Sequence, residues 1–397
     1  MAKYRFGDIC KVLNGRAYKQ NELLASGKYP ILRVGNFFSS DRWYYSDMEL
    51  PEDKYCDYED LLFAWSASFG PKIWDGEKVI YHYHIWKLIP NDDIADKWYL
   101  YYWLRHSVNR LTAGTHGSVM AHMTKGDMEN QSIELPSLQT QRKISSILRT
   151  IDEKIHNNVE INNNLEQQAQ AIFKEWFIDN PENNEWSTGT FSELIKSTLN
   201  GDWGKEAPTG NNTEKVYCIR GADIPEVKAG NKGKMPTRYI LPKNFATKQL
   251  TAGDIVVEIS GGSPTQSTGR CTAITQSLLD RYDSGMVCTN FCKAMKPKEG
   301  YSLFIYYYWQ YLYGKGVFFS YENGTTGIKN LDFSGFIETE TILIPPVDKV
   351  LAFDDYCKAI FNQIFANGKQ NEHLAVLRDT LLPKLMSGEL DVSNIKI

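Results

Sequence analysis

No apolar run in this chain is long enough to span a membrane: the longest, such as Ile255-Val256-Val257, are broken within a few residues. The opening Met1-Ala2-Lys3-Tyr4-Arg5 leads into no apolar signal core, so the expected location is cytoplasmic and no membrane partner is expected. Asn211-Asn212-Thr213 and Asn323-Gly324-Thr325 match the glycosylation pattern, which carries no meaning without export. Cysteine is sparse: seven residues, an odd number, with Cys288 and Cys292 as the close pair and no second pair to complete a zinc site. Reduced, buried thiols and no metal are expected. An excess of positive charge is also missing, with 44 Lys and Arg against 48 Asp and Glu, a net charge of -4. That balance excludes wholesale non-specific nucleic-acid binding and leaves room for basic groups gathered on one face.

Catalytic signatures are missing too. A methyltransferase needs a Gly-rich loop after its first strand and an Asn/Asp-Pro-Pro-aromatic stretch, but Pro345-Pro346 is flanked by Ile344 and Val347. No Gly-x-x-x-x-Gly-Lys-Ser/Thr loop cradles a phosphate. The nearest approach to a nuclease carboxylate pair is Asp254 and Glu258. Asp60 matches Asp254 in a second copy of the stretch, but Ala64 or Trp65 stands where Glu258 needs an equivalent. His82 and His84 alternate as strand residues do, which favours a structural or surface role over metal or acid-base work. No catalytic residue and no cofactor are expected.

What is present is an ordinary globular composition, 42% hydrophobic and 23% charged, in 397 residues, enough for two or three domains. The chain is also written twice. Asn162-Asn163-Asn164-Leu165 returns as Asn371-Glu372-His373-Leu374, and Leu135-Pro136-Ser137-Leu138 returns as Ile344-Pro345-Pro346-Val347 at the same offset. Gly126 matches Gly335, Asp60-Leu61-Leu62-Phe63 resembles Asp254-Ile255-Val256-Val257, and Phe6-Gly7-Asp8-Ile9 resembles Phe191-Ser192-Glu193-Leu194. The offset drifts, as it does when loops differ in length between diverged copies. The first part of each copy, residues 1–135 and 187–344, reads as mixed α/β, with strand-like runs such as Val79–Trp86 and Ile337–Ile344 and turn signals at Asn14-Gly15 and Gly261-Gly262.

The second part of each copy, residues 136–186 and 345–397, reads as a long helix. Apolar residues recur at Ile144, Leu148, Ile151 and Ile155, then at Leu165, Ala169, Ile172 and Trp176, the spacing of a coiled-coil seam. Asn158 and Asn162 continue that seam. In the second copy it runs Ile360, Ile364, Asn367, Asn371, Leu374, Arg378, Leu381, Leu385. A buried Asn fixes register at a cost in stability. In antiparallel pairing about a pseudo-twofold, Asn158 can face Asn371 and Asn162 can face Asn367. A helix of roughly 40 residues is about 60 Å long, so such a pair is expected to hold two globular heads apart. The expected fold class is α+β, with two mixed α/β domains separated by two long antiparallel coiled-coil helices.

The stretch Leu135-Pro136-Ser137-Leu138-Gln139-Thr140-Gln141-Arg142-Lys143-Ile144, continuing through Ile151-Asp152-Glu153-Lys154-Ile155, resembles the region that follows a target recognition domain in specificity subunits of type I restriction-modification systems. Leu381-Leu382-Pro383-Lys384-Leu385-Met386-Ser387-Gly388-Glu389-Leu390, Phe6-Gly7-Asp8-Ile9 and Phe173-Lys174-Glu175-Trp176-Phe177 resemble other parts of the same family. Ile344-Pro345-Pro346-Val347-Asp348-Lys349 departs from it by lacking the Gln-Arg of the first copy. The resemblance implies a non-catalytic subunit that reads a split sequence in double-stranded DNA, one half per recognition domain. It also implies two methyltransferase subunits and restriction (motor-nuclease) subunits as partners, which carry the S-adenosylmethionine and ATP.

Phosphate contacts need Lys, Arg or neutral donors, and base readout needs directed donors and acceptors. In the first domain the candidates are Arg16, Lys19, Arg33, Asn36, Ser66, Ser68, Lys72, His116, Ser118 and Lys125. In the second they are Trp203, Lys205, Arg220, Ser263, Gln266, Arg270, Thr326, Lys329 and Asn330, with Asp223 matching Asn36. Two other readings stay open at this point: a solitary DNA-binding adaptor, and a coiled-coil scaffold with two protein-binding heads.

Overall fold

The computed structural model describes residues 1–38, 42–112, 123–263, 265–324 and 328–395. The chain divides into two compact units, residues 1–153 with 375–397, and residues 154–374. Helices Leu138–Phe173 and Val347–Ser387 contribute segments to both.

In the first unit, strands β1 (Cys10–Asn14), β2 (Tyr29–Leu32), β3 (Leu61–Ser66), β4 (Ser68–Ile73), β5 (Val79–Tyr81) and β6 (Ile85–Pro90) build two sheets. One is antiparallel in the order β1-β6-β3-β4; in the other, β2 and β5 run parallel at its centre. Strand Ala2–Arg5 pairs with Ser132–Leu135 and brings the two ends of the globular part together. Leu61, Phe63, Trp86 and Leu88 point into a core closed by Tyr99 and Tyr102 of helix Lys97–Thr112. Ile144 and Leu148 join that core from one long helix, and Leu382, Leu385 and Met386 join it from the other.

The second unit repeats the plan. Its strands are β7 (Ile195–Asn200), β8 (Glu214–Ile219), β9 (Ile255–Glu258), β10 (Cys271–Ala273), β11 (Met286–Cys288) and β12 (Cys292–Pro297). The order β7-β12-β9-β10 mirrors β1-β6-β3-β4, and β8 pairs parallel with β11 as β2 does with β5. Ser187–Thr190 pairs with Thr341–Ile344 in the role of the terminal strand pair. The core is aromatic: Phe173, Phe177, Phe191, Tyr307, Trp309 and Phe353 are buried together.

Register makes the match residue by residue. Asn14 lies opposite Trp86, and Asn200 opposite Lys293; Leu32 lies beside Tyr81, and Ile219 beside Cys288. The glycine after the first strand is demanded in both copies by close approach. A Cβ on Gly15 would lie 2.4 Å from the His82 carbonyl oxygen, and one on Gly201 1.8 Å from that of Thr289.

Two strand-like runs are cut shorter than their sequence pattern suggests. Val79–Trp86 is interrupted after Tyr81 by a turn in which the Ile85 N–H donates to the His82 carbonyl, so His82 and His84 are turn residues. Ile337–Thr339 belongs to helix Phe333–Thr339, whose start is fixed by the Asp332 carboxylate accepting from the Gly335 N–H at 2.9 Å. All seven cysteines are free and buried. Burial pushes the Cys10, Cys218, Cys271 and Cys292 thiols up to about 12. Among the described residues no helix is long and apolar enough to cross a membrane, and no cluster of three metal-ligating side chains occurs.

Candidate nucleic-acid interface

The turn after β2 and the turn after β8 are built alike. The Arg33 N–H donates to Asn36 Oδ1 at 3.3 Å, and the Arg220 N–H donates to Asp223 Oδ2 at 3.1 Å. In both, a side chain three residues on caps the turn and leaves the arginine at the start. The guanidiniums then differ. Arg33 stacks at 5.0 Å on Tyr44 and makes no ion pair among the described residues. Arg220 is clamped by both Asp223 oxygens, at 2.9 and 3.1 Å, which raises its pKa further.

Most of the other candidate cations are also engaged within the fold. Arg16 donates to both Glu22 oxygens at 3.0 and 2.8 Å, and that partnership lowers the Glu22 carboxyl to about 2. Lys72 pairs with Asp75 at 3.4 Å, Lys125 with Glu129 at 3.4 Å, and Lys329 with Glu322 at 2.7 Å. Arg270 forks onto Glu258 at 2.8 and 2.7 Å. Lys19 and Lys205 are exposed and free of ion pairs among the described residues; Lys205 forms an isolated β-bridge with Tyr239. Of the four candidate arginines, Arg16, Arg220 and Arg270 are each held by a carboxylate within the fold, and among the described residues Arg33 is not.

Among the polar candidates, Ser66 is 2% exposed at the end of β3, while Ser68 beyond the turn is exposed. Ser263 Oγ accepts from the Gln266 N–H at 3.0 Å, and Ser260 Oγ donates to Asn330 Oδ1 at 2.5 Å. His116, Ser118 and Thr326 lie outside the described residues.

Two of the second unit's candidates border one concavity. Trp203 and Arg220 line it together with Glu258, Asn290 and Phe291. Phe291 and Asn290 were not foreseen from sequence; a Phe in the turn between two short strands carries no signal until the turn is seen to leave it 60% exposed. Arg238, also unforeseen, lies 3.8 Å over the Trp203 ring and fixes its plane. In the first unit the corresponding turn presents His82, Tyr83 and His84 beside Trp65.

Within each unit the segments of the two long helices pair antiparallel. In the second unit, Asn158 Nδ2 donates to Asn371 Oδ1 at 2.8 Å, and Asn367 Nδ2 to Asn162 Oδ1 at 2.8 Å. In the first unit, Arg378 donates to Asp152 at 2.7 Å, and Tyr102 Oη donates to the same carboxylate at 2.7 Å.

A duplicated α+β head with a paired long helix is the fold of a solved type I restriction-modification S subunit from M. genitalium, at TM-score 0.57 and 16% identity over 97% of this chain and 95% of that one. Residues 1–167 match the family described as type I restriction modification DNA specificity domain. It is 27% identical over 327 residues to the type I restriction enzyme MjaIX specificity subunit of Methanocaldococcus jannaschii, covering 78% of this chain and 72% of that protein. It is 21% identical over 282 residues to the EcoBI specificity subunit of Escherichia coli, covering 64% and 59%.

Proposed function

We propose that this chain is the DNA-reading subunit of a type I restriction-modification complex in the cytoplasm. Residues 1–135 and 187–344 are its target recognition domains, each reading one half of a bipartite duplex site. Residues 136–186 and 345–397 are the spacers that set the distance between half-sites and receive the partners: two methyltransferase subunits, and restriction subunits in the cleaving assembly. The chain itself is non-catalytic and carries no cofactor. The family match over residues 1–167 and the similarity to the MjaIX specificity subunit support the role. The observation that carries the two-head reading is the residue-level repeat, with Arg33/Asn36 and Arg220/Asp223 at matching places in two otherwise different turns. Copies that share a frame but differ in their turn side chains suit two different half-sites.

Sequencing the methylated bases of a host carrying this chain and its methyltransferase partner yields the split motif. Exchanging residues 187–344 for those of another specificity subunit then changes one half of the motif and leaves the other. A change in both halves, or in neither, sinks the one-head-one-half reading.

A further inference from the structure

The concavity in the second unit has a volume of about 510 Å³. Two aromatic side chains line it and remain exposed, Trp203 at 37% and Phe291 at 60%. Glu258, at the end of β9, is only 6% exposed and lies recessed in it. Its carboxylate is held flat by the Arg270 fork at 2.8 and 2.7 Å. Two glycines keep space around that carboxylate: a Cβ on Gly221 would come within 2.4 Å of Glu258 Oε1, and one on Gly261 within 3.0 Å.

We propose that this concavity receives a single nucleobase swung out of the DNA stack, with its ring against Trp203 and Phe291 and an exocyclic amine donating to Glu258. The proposal rests on the reading of this unit as a DNA-binding head and adds how it binds. Two features argue for an unstacked base over a base read in the groove. Groove readout needs side chains that project to the base edge, and Glu258 is recessed. Stacking on aromatic faces is how proteins hold bases freed from the helix, and the rim supplies two such faces. The carboxylate selects chemistry: it accepts from the exocyclic amine of adenine, cytosine or guanine, a group that thymine lacks. The site is confined to the second unit, because Ala64 opposite Gly70 in β3–β4 occupies the places of Glu258 and Arg270.

The test uses the full-length chain and its cognate duplex, with the base opposite each position of the second half-site removed in turn. Removing the pairing partner removes much of what opposes extrusion. One position is therefore expected to bind about tenfold more tightly than the intact duplex. Ala222→Tyr, which fills the concavity from its exposed edge, abolishes that gain while discrimination at the first half-site persists. Phe291→Ala, at a position 60% exposed, weakens binding to the intact cognate duplex about tenfold. Sequence-specific binding with no position that gains, or a gain equal in Ala222→Tyr, overturns the base pocket alone. A chain that discriminates neither half-site overturns the DNA-reading assignment beneath it.

Discussion

Asn158 donates its side-chain amide to Asn371 Oδ1 at 2.8 Å and to Gln370 Oε1 at 2.7 Å, in a helix seam that also carries the Asn162–Asn367 pair. Asn158 is fully buried, and its own Oδ1 has no partner among the described residues. A buried, half-satisfied amide is a poor way to stabilise a seam and a good way to fix register, since any slip leaves more amide groups unpaired.

The double substitution Asn158→Leu/Asn371→Leu is expected to raise the urea midpoint of the chain. Asn371→Leu alone is expected to lower stability by about 1 kcal/mol, because Asn158 loses an acceptor. Register is read by the distance distribution between spin labels at the exposed Glu160 and Lys369, which broadens in the double variant. A double variant less stable than the parent would show that the pair stabilises outright, and the register argument would lose its basis.

Arg270 and Glu258 pose the opposite case. The side chains are 23% and 7% accessible, and the carboxylate raises the arginine's pKa. Arg270→Ala strands an anion beneath the surface and is expected to destabilise the chain by about 3 kcal/mol. Glu258→Ala/Arg270→Ala, which resembles the Ala64–Gly70 pairing of the first unit, recovers most of that loss in urea denaturation. DNA-binding defects in the single variant are thus interpretable only beside the double. Equal losses in both would mean that the pair stabilises beyond removing its own desolvation.

The repeat, the two long helices and the four seam asparagines were legible in the sequence because they obey local periodicity and a nearly constant offset. The turns were less so. Val79–Trp86 alternates like one strand, but chain reversal at Tyr83 is imposed by tertiary pairing of β5 with β2 and β6 with β3. The candidate cations were legible as residue types, whereas their carboxylate partners were not: Glu22 is six residues from Arg16, Glu258 twelve from Arg270. Phe291 carries no sequence signal at all, because a lone Phe usually reads as core.

Lys19 separates phosphate contact from structural cation. It is exposed, with no ion pair among the described residues, while neighbouring Arg16 is tied to Glu22. Lys19→Ala is expected to leave stability unchanged, weaken binding to all duplexes alike, and reduce the salt slope of binding by about 1. Arg16→Ala releases Glu22 and reduces stability as well. Binding isotherms at several salt concentrations decide between them; an unchanged slope removes Lys19 from the interface.

His82 sets a pH dependence on the first unit. Burial, then the nearby His84 and Arg33, push its imidazole down to about 4 from the ordinary 6.5. Between those values the unfolded chain takes up a proton that the folded chain refuses, so protonation favours unfolding. The contribution is fully present above pH 6.5 and is lost progressively as pH falls to about 4. His82→Asn keeps a polar side chain without the titration, so its urea midpoint is expected to fall less than the parent's between pH 7 and pH 5. Because His82 stays neutral through that range, its charge adds nothing to phosphate attraction. Salt slopes measured at pH 7 and pH 6 should therefore agree, and a steeper slope at pH 6 that vanishes in His82→Asn would place a protonated imidazole in the DNA interface.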